Sequence, residues 1–146
     1  MPRYFSLEQA QRLIPEVGAQ LRKAMEAHKN NQESETAMAQ LARRVAMSGG
    51  MQIDPEQSRI VKRKREQALA SLTEAVEAIT ELGVQIKDLE IGLIDFPTLF
   101  KGREVLLCWK LGEPGIQFWH GLEEGFRGRK KIDREFMDHH RGDEAQ

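Results

Sequence analysis

The chain has 146 residues, 31 % of them charged and 40 % hydrophobic, with a formal net charge of −1 and a single cysteine. That is the length of one ordinary domain, enough to bury roughly 70 % of the unfolded surface. The balanced charge provides no global field to hold a nucleic acid or an anionic membrane, and one cysteine cannot form an internal disulfide. No run of about eighteen apolar residues is present, and MPRYFSLEQAQ lacks the apolar core of a signal peptide, so the expected setting is cytosolic and no membrane partner is expected.

Ser6 followed by Gln9 is a capping-box pattern, which predicts a helix starting at Leu7. Leu7, Ala10, Ile14, Val17, Leu21 and Ala24 then recur at three-four spacing, the stripe of a helix that packs on a partner. Pro15 removes one backbone donor and predicts a kink without a break. The stripe fades across His28 to Thr36 and resumes at Met38, Leu41 and Val45, leaving the continuity of this helix open. Gly49 and Gly50 end the first arm, while Asp54, Pro55 and Gln57 restart the chain with an N-cap, an N1 proline and a second box partner. Val61, Ala68, Leu72, Ala75, Ile79 and Leu82 form the second stripe, closed by Gly83 at C′. Two such arms predict an antiparallel hairpin, the second arm about 40 Å long, with a tip at Ser48 to Asp54.

From Val84 the period shortens, and VQIKDLEIGLIDFP reads as strands broken by Gly92 and Pro97. EVLLCWKL, Glu104 to Leu111, is apolar on both alternating faces, as a central strand is, and IQFWH returns after the GEPG turn as its antiparallel partner. GLEEGFRGRKKI follows, glycine-punctuated and basic, and the polar tail from about Phe136 is expected to fray.

If the chain has a site, it lies between Gly92 and Arg129, which holds both tryptophans, the cysteine and four of the six phenylalanines. Cys108, Glu113 and His120 are all competent metal donors, but a four-residue Gly112 to Gly115 loop would set Cys108 opposite Trp119 and put Cys108 and His120 on opposite faces. A three- or five-residue loop would bring the two together; Glu113, in the turn, reaches the same ion in neither case. A metal would then need Asp88, Asp95 or Glu123, and no metal is assigned. Cys108 is otherwise a buried small hydrophobe, and His120 a hydrogen-bonded sheet residue or a ligand contact. In the four-residue register Trp109 and Phe118 share a face with His120, while Trp119 joins Cys108, Lys110 and Gln117 on a more polar face, the better pocket wall. Lys110 must reach solvent, pair with Asp88 or Asp95, or bind an anion.

YFSLEQAQRLIP, IKDLEIGLIDFP and GREVLLCWKLGEPGIQFWHGLEEGFRGRKKI together resemble the uncharacterised bacterial family known as domain of unknown function 2203. The resemblance implies an α+β protein and no established activity. The chain departs from the family pattern at Gly121, where a glutamate follows the histidine, and at Lys131, where a proline precedes the last isoleucine; Glu123 is then the nearest substitute acid.

Basic residues gather at Arg43, Arg44, Arg59 and Lys62 to Arg65 beside the hairpin turn, and at Arg127, Arg129, Lys130, Lys131 and Arg134. Lys62 to Arg65 covers every face of a helical turn and no aromatic accompanies it, so nucleic acid is not an expected partner. The expected architecture is α+β: a long antiparallel helical hairpin (1–83) packed on a small antiparallel β-sheet (84–132), with a polar tail (133–146), as one domain. The expected role is non-catalytic binding through the hairpin and sheet face, with self-association through the helical stripe or a protein partner. The competing reading is an enzyme or small-ligand module around Lys110, His120 and Arg129. Candidate ligand-binding residues are Asp95, Cys108, Lys110, Trp119, His120, Glu123 and Arg129, and no cofactor is specified.

Overall fold

The computed structural model describes residues 3–50 and 54–144; the tip residues 51–53 of the predicted hairpin turn lie outside them. Helix α1 runs without interruption from Leu7 to Met47. Its start is the predicted one: the Ser6 hydroxyl accepts from the Gln9 N–H while the Gln9 side chain accepts from the Ser6 N–H. The helix continues through Pro15 and through the polar stretch 28–36, where Lys, Gln and Glu are good helix formers even without an apolar stripe. At 1.5 Å per residue it is about 61 Å long. Gly49 and Gly50 both take positive φ, +67° and +81°, and turn the chain.

Helix α2, Pro55–Glu81, opens on Asp54, whose carboxylate accepts from the Glu56 N–H, and ends before Gly83 at φ +92°. The seam between the helices is built largely from small side chains: Ala24, Ala27 and Ser34 on α1 are buried, as are Ala68, Ala75 and Ile79 on α2. Beyond Ser34 and before Ala68 no described residue of either helix is buried, so the far half of the hairpin is a bare two-helix arm.

The remaining chain forms strands β1 Gln85–Asp88, β2 Leu93–Phe100, β3 Arg103–Lys110, β4 Phe118–Gly121 and β5 Lys130–Lys131, the short helix α3 Arg134–His139, and strand β6 His140–Arg141. The sheet is antiparallel in the order β1-β2-β3-β4-β5. β1 and β6 share one edge of β2, the first against Leu93 to Asp95 and the second against Leu99 and Phe100. Pro97 sits between them, and its carbonyl accepts from the Phe5 N–H at 2.7 Å. A residue's N–H and C=O leave an antiparallel strand on the same side, so the donor that proline lacks is missing from this edge and the β2–β3 ladder stays whole.

One sheet face carries Ile94, Phe96, Val105, Leu107 and Trp109 into the core against the hairpin, with Phe5, Val17, Leu21 and Ile79 opposite. At Gly18 α1 lies against the Trp109 ring, where a Cβ would stand 3.6 Å away in ordinary contact. Two expectations are corrected here. The tail does not fray: Phe136 is fully buried, its ring centroid is 4.9 Å from both Phe100 and Trp119, and β6 extends the sheet beyond residue 132. The β3–β4 register also differs, because Cys108 pairs with Phe118 and Leu106 with His120. Cys108 and Phe118 are the last pair before the turn, so residues 109–117 connect them, with Gly112 at φ +100° and the Glu113 N–H bonded to the Lys110 carbonyl.

Candidate functional site

The corrected register sorts the side chains into faces. Directly paired residues share a face, so Cys108 and Phe118 lie together, and His120, two residues on, joins them. Asp95 on β2 pairs with Cys108 and completes the row. Trp119 and Trp109 point the other way, into the hairpin-facing layer, so the predicted pocket wall of Trp119 beside Cys108 does not form. Phe118, assigned to the Trp109 face, is instead on the Cys108 face.

Asp95, Cys108 and His120 are 0, 0 and 3 % exposed, and one donor atom from each lies within 4.8 Å of the others. The His120 Nε2 stands 3.1 Å from both carboxylate oxygens of Asp95, and its Nδ1 is 2.8 Å from the Gly121 carbonyl. A carbonyl oxygen can only accept, which fixes the ring proton on Nδ1 and turns Nε2 toward Asp95. Burial raises the Asp95 pKa, with His120 opposing. Burial, and then the Asp95 charge, push the Cys108 thiol up to about 12.

Over this row lies the segment that follows β4. A 3₁₀ turn, Phe126–Gly128, places Arg129 against Phe118 and Phe126, the guanidinium carbon 4.0 and 4.4 Å from the two ring centroids. Arg129 donates to both Glu113 oxygens, at 3.1 and 2.7 Å, and its Nη1 lies 3.8 Å from the Cys108 Sγ. Burial alone would raise the Glu113 pKa, but hydrogen bonds from Arg129 and from the Lys110 backbone N–H hold it below the usual range. Lys110 comes to the rim, its Nζ 5.8 Å from the Phe126 ring. The structure thus joins Asp95, Cys108, His120 and Arg129, sets Lys110 beside them, and leaves Trp119 on the opposite face.

Glu123 is exposed. The acid that does reach β4 is Glu124, which accepts from the Gly121 N–H at 2.9 Å and pairs with Lys130 at 2.7 Å. Asp88 spends its carboxylate on the Glu90 and Ile91 N–H groups. Glu113 and Glu124 were not among the predicted site residues. Both act through partners 16 and 6 positions away across a turn, a pairing with no local sequence signal.

The sequence profile of an uncharacterised conserved protein family, domain of unknown function 2203, matches residues 3–132. The chain belongs to that family. Every member of the Asp95, Cys108, His120, Glu113 and Arg129 cluster falls within the family match, whereas α3 and β6 lie beyond it. Gly121 acts through its backbone, its carbonyl accepting from the His120 ring and its N–H donating to Glu124. No curated protein and no solved structure matches the chain significantly.

Proposed function

We propose that this is a non-catalytic binding protein of the cytoplasm that acts through its hairpin, and that the first occupant of the hairpin groove is a second copy of the same chain. The observation that carries this reading is a groove of about 780 Å³ between α1 and α2, lined by residues of 20–37 and 61–75. Its floor is small, with Ala27, Ser34 and Ala37 on one side and Ala68, Ser71 and Ala75 on the other, so another helix can come close. Its walls carry both signs, with Lys23 and Lys64 beside Glu26, Glu33 and Glu74, so an antiparallel copy can set each lysine of one chain against a glutamate of the other. No described helix is long and apolar enough to cross a membrane. Of the basic residues near the sheet, Arg129 and Lys130 are already paired with Glu113 and Glu124, which weakens the case for a phosphate-bearing partner there.

Sedimentation velocity over a concentration series tests the reading. The expected result is a dimer that the pair Ala37→Glu and Ser71→Glu, the second an exposed groove position, converts to a folded monomer. A wild-type chain that remains monomeric at about 100 μM, an affinity limit of roughly −5.5 kcal/mol, would refute self-association. The competing reading, a ligand or enzymatic site on the sheet, draws its support from the Asp95, Cys108 and His120 cluster, for which no reaction class follows from the geometry.

A further inference from the structure

We propose that Asp95, Cys108 and His120 form a three-ligand site for a divalent metal ion of the zinc class, held by neighbouring strands β2, β3 and β4. Carboxylate oxygen, thiolate sulfur and imidazole nitrogen are a borderline donor set suited to zinc and not to magnesium or calcium, which take oxygen. The donor atoms already lie together, with nitrogen–oxygen separations of 3.1 Å and every pair within 4.8 Å. Zinc bond lengths of about 2.0 to 2.3 Å at tetrahedral angles require donors roughly 3.3 to 3.7 Å apart, a shift of a few tenths of an ångström from the observed nitrogen–oxygen spacing.

The surroundings are those of a ligand set. A metal-bound histidine gives its other ring proton to a carbonyl or carboxylate, and the His120 Nδ1 faces the Gly121 carbonyl at 2.8 Å. Nε2 is thereby left to meet the Asp95 carboxylate. In the metal-free protein a single proton shared between Nε2 and the Asp95 carboxyl satisfies that contact, and a metal ion would take the place of that proton. The charges also balance: one carboxylate, one thiolate and a neutral imidazole neutralise a divalent ion, while Arg129, its own charge met by Glu113, lies within weak hydrogen-bonding range of the Cys108 sulfur. Three protein donors leave one position of a tetrahedral ion for water or a small anion. The hairpin groove plays no part in this inference, so dimerisation and metal uptake can succeed or fail separately.

The test uses the full chain, stripped with chelator, checked for fold by circular dichroism and titrated with Co(II) alone. The expected result is one ion per chain, a sulfur-to-cobalt charge-transfer absorption in the near ultraviolet, and displacement by Zn(II). Cys108→Ser should abolish the charge-transfer absorption with the fold intact, and Asp95→Asn should weaken uptake by roughly tenfold or more. The wild-type spectrum reads sulfur ligation directly, so the site stands or falls even if a ligand variant does not fold. Stripped, folded wild-type protein that takes up no Co(II) or Zn(II), or that takes up cobalt without the thiolate band, would overturn the proposal. Equal uptake by folded Cys108→Ser protein would do the same.

Discussion

Cys108 shows how one residue's place in the sheet sets its chemistry. Fully buried beside Asp95, its thiol is pushed up to about 12, with Arg129 opposing only in part. In the unfolded chain the same thiol ionises near about 8.5. Between those values the unfolded state binds fewer protons than the native state, so the contribution of Cys108 to stability is lost as pH rises. In chelator-treated protein, the urea midpoint should fall between pH 7 and pH 10, by an amount equivalent to about 2 kcal/mol for this group, and Cys108→Ala should remove that part of the fall. A midpoint drop equally large in the variant would show that the thiol is not the source. In the folded protein at pH 8, the same thiol should react with an alkylating reagent far more slowly than in urea.

Among the elements, those written in local patterns were legible and those written in long-range pairing were not. The capping box at Ser6, the proline at N1 of α2 and the glycine pair at the turn each act within four residues, and each stands where the sequence placed it. The continuity of α1 through 28–36 was left open because propensity and periodicity disagree there, and propensity prevails. The β3–β4 register stays open in the sequence, since nothing local distinguishes a four-residue loop from a longer or shorter one, and a shift of one residue decides which side chains meet Cys108.

The tail was misread for a different reason. Its anchor is one phenylalanine among polar residues, a weak signal until Phe100, Trp119 and His140 are seen around it. Phe136→Ala should therefore cost about 3 to 5 kcal/mol in a denaturant titration. Amides of 134–143 should also become the first to lose hydrogen-exchange protection. Unchanged exchange in that segment would mean the tail is held by its backbone contacts alone.

Over the whole molecule, burial is uneven. The sheet and the near half of the hairpin share one core, whereas the far arm has only its two-helix seam. Local opening follows buried contact, so in dilute solution the amides of 35–47 and 56–66 should exchange well before those of β2 and β3. If copies associate along the groove, raising the concentration should slow exchange over 20–37 and 61–75 and leave the sheet unchanged. Slowing spread evenly over the chain would point to contacts elsewhere.

The meeting of the two ends of the described chain carries a further consequence. The Tyr4 N–H donates to the Asp143 carboxylate, the Asp143 N–H returns a bond to the Tyr4 carbonyl, and the Gln9 side chain reaches the Asp143 carbonyl. Gly142 lies so close that a Cβ would stand 2.1 Å from the Ser6 nitrogen, so no other residue fits at this seam. Topologically the fold is therefore nearly a ring, clasped at Gly142 and drawn out at the far side into the arm. Which segment comes first in translation is incidental to that ring: closing the clasp covalently and cutting at the glycine pair would put α2 first, the sheet in the middle and α1 last, dividing the hairpin between the two ends.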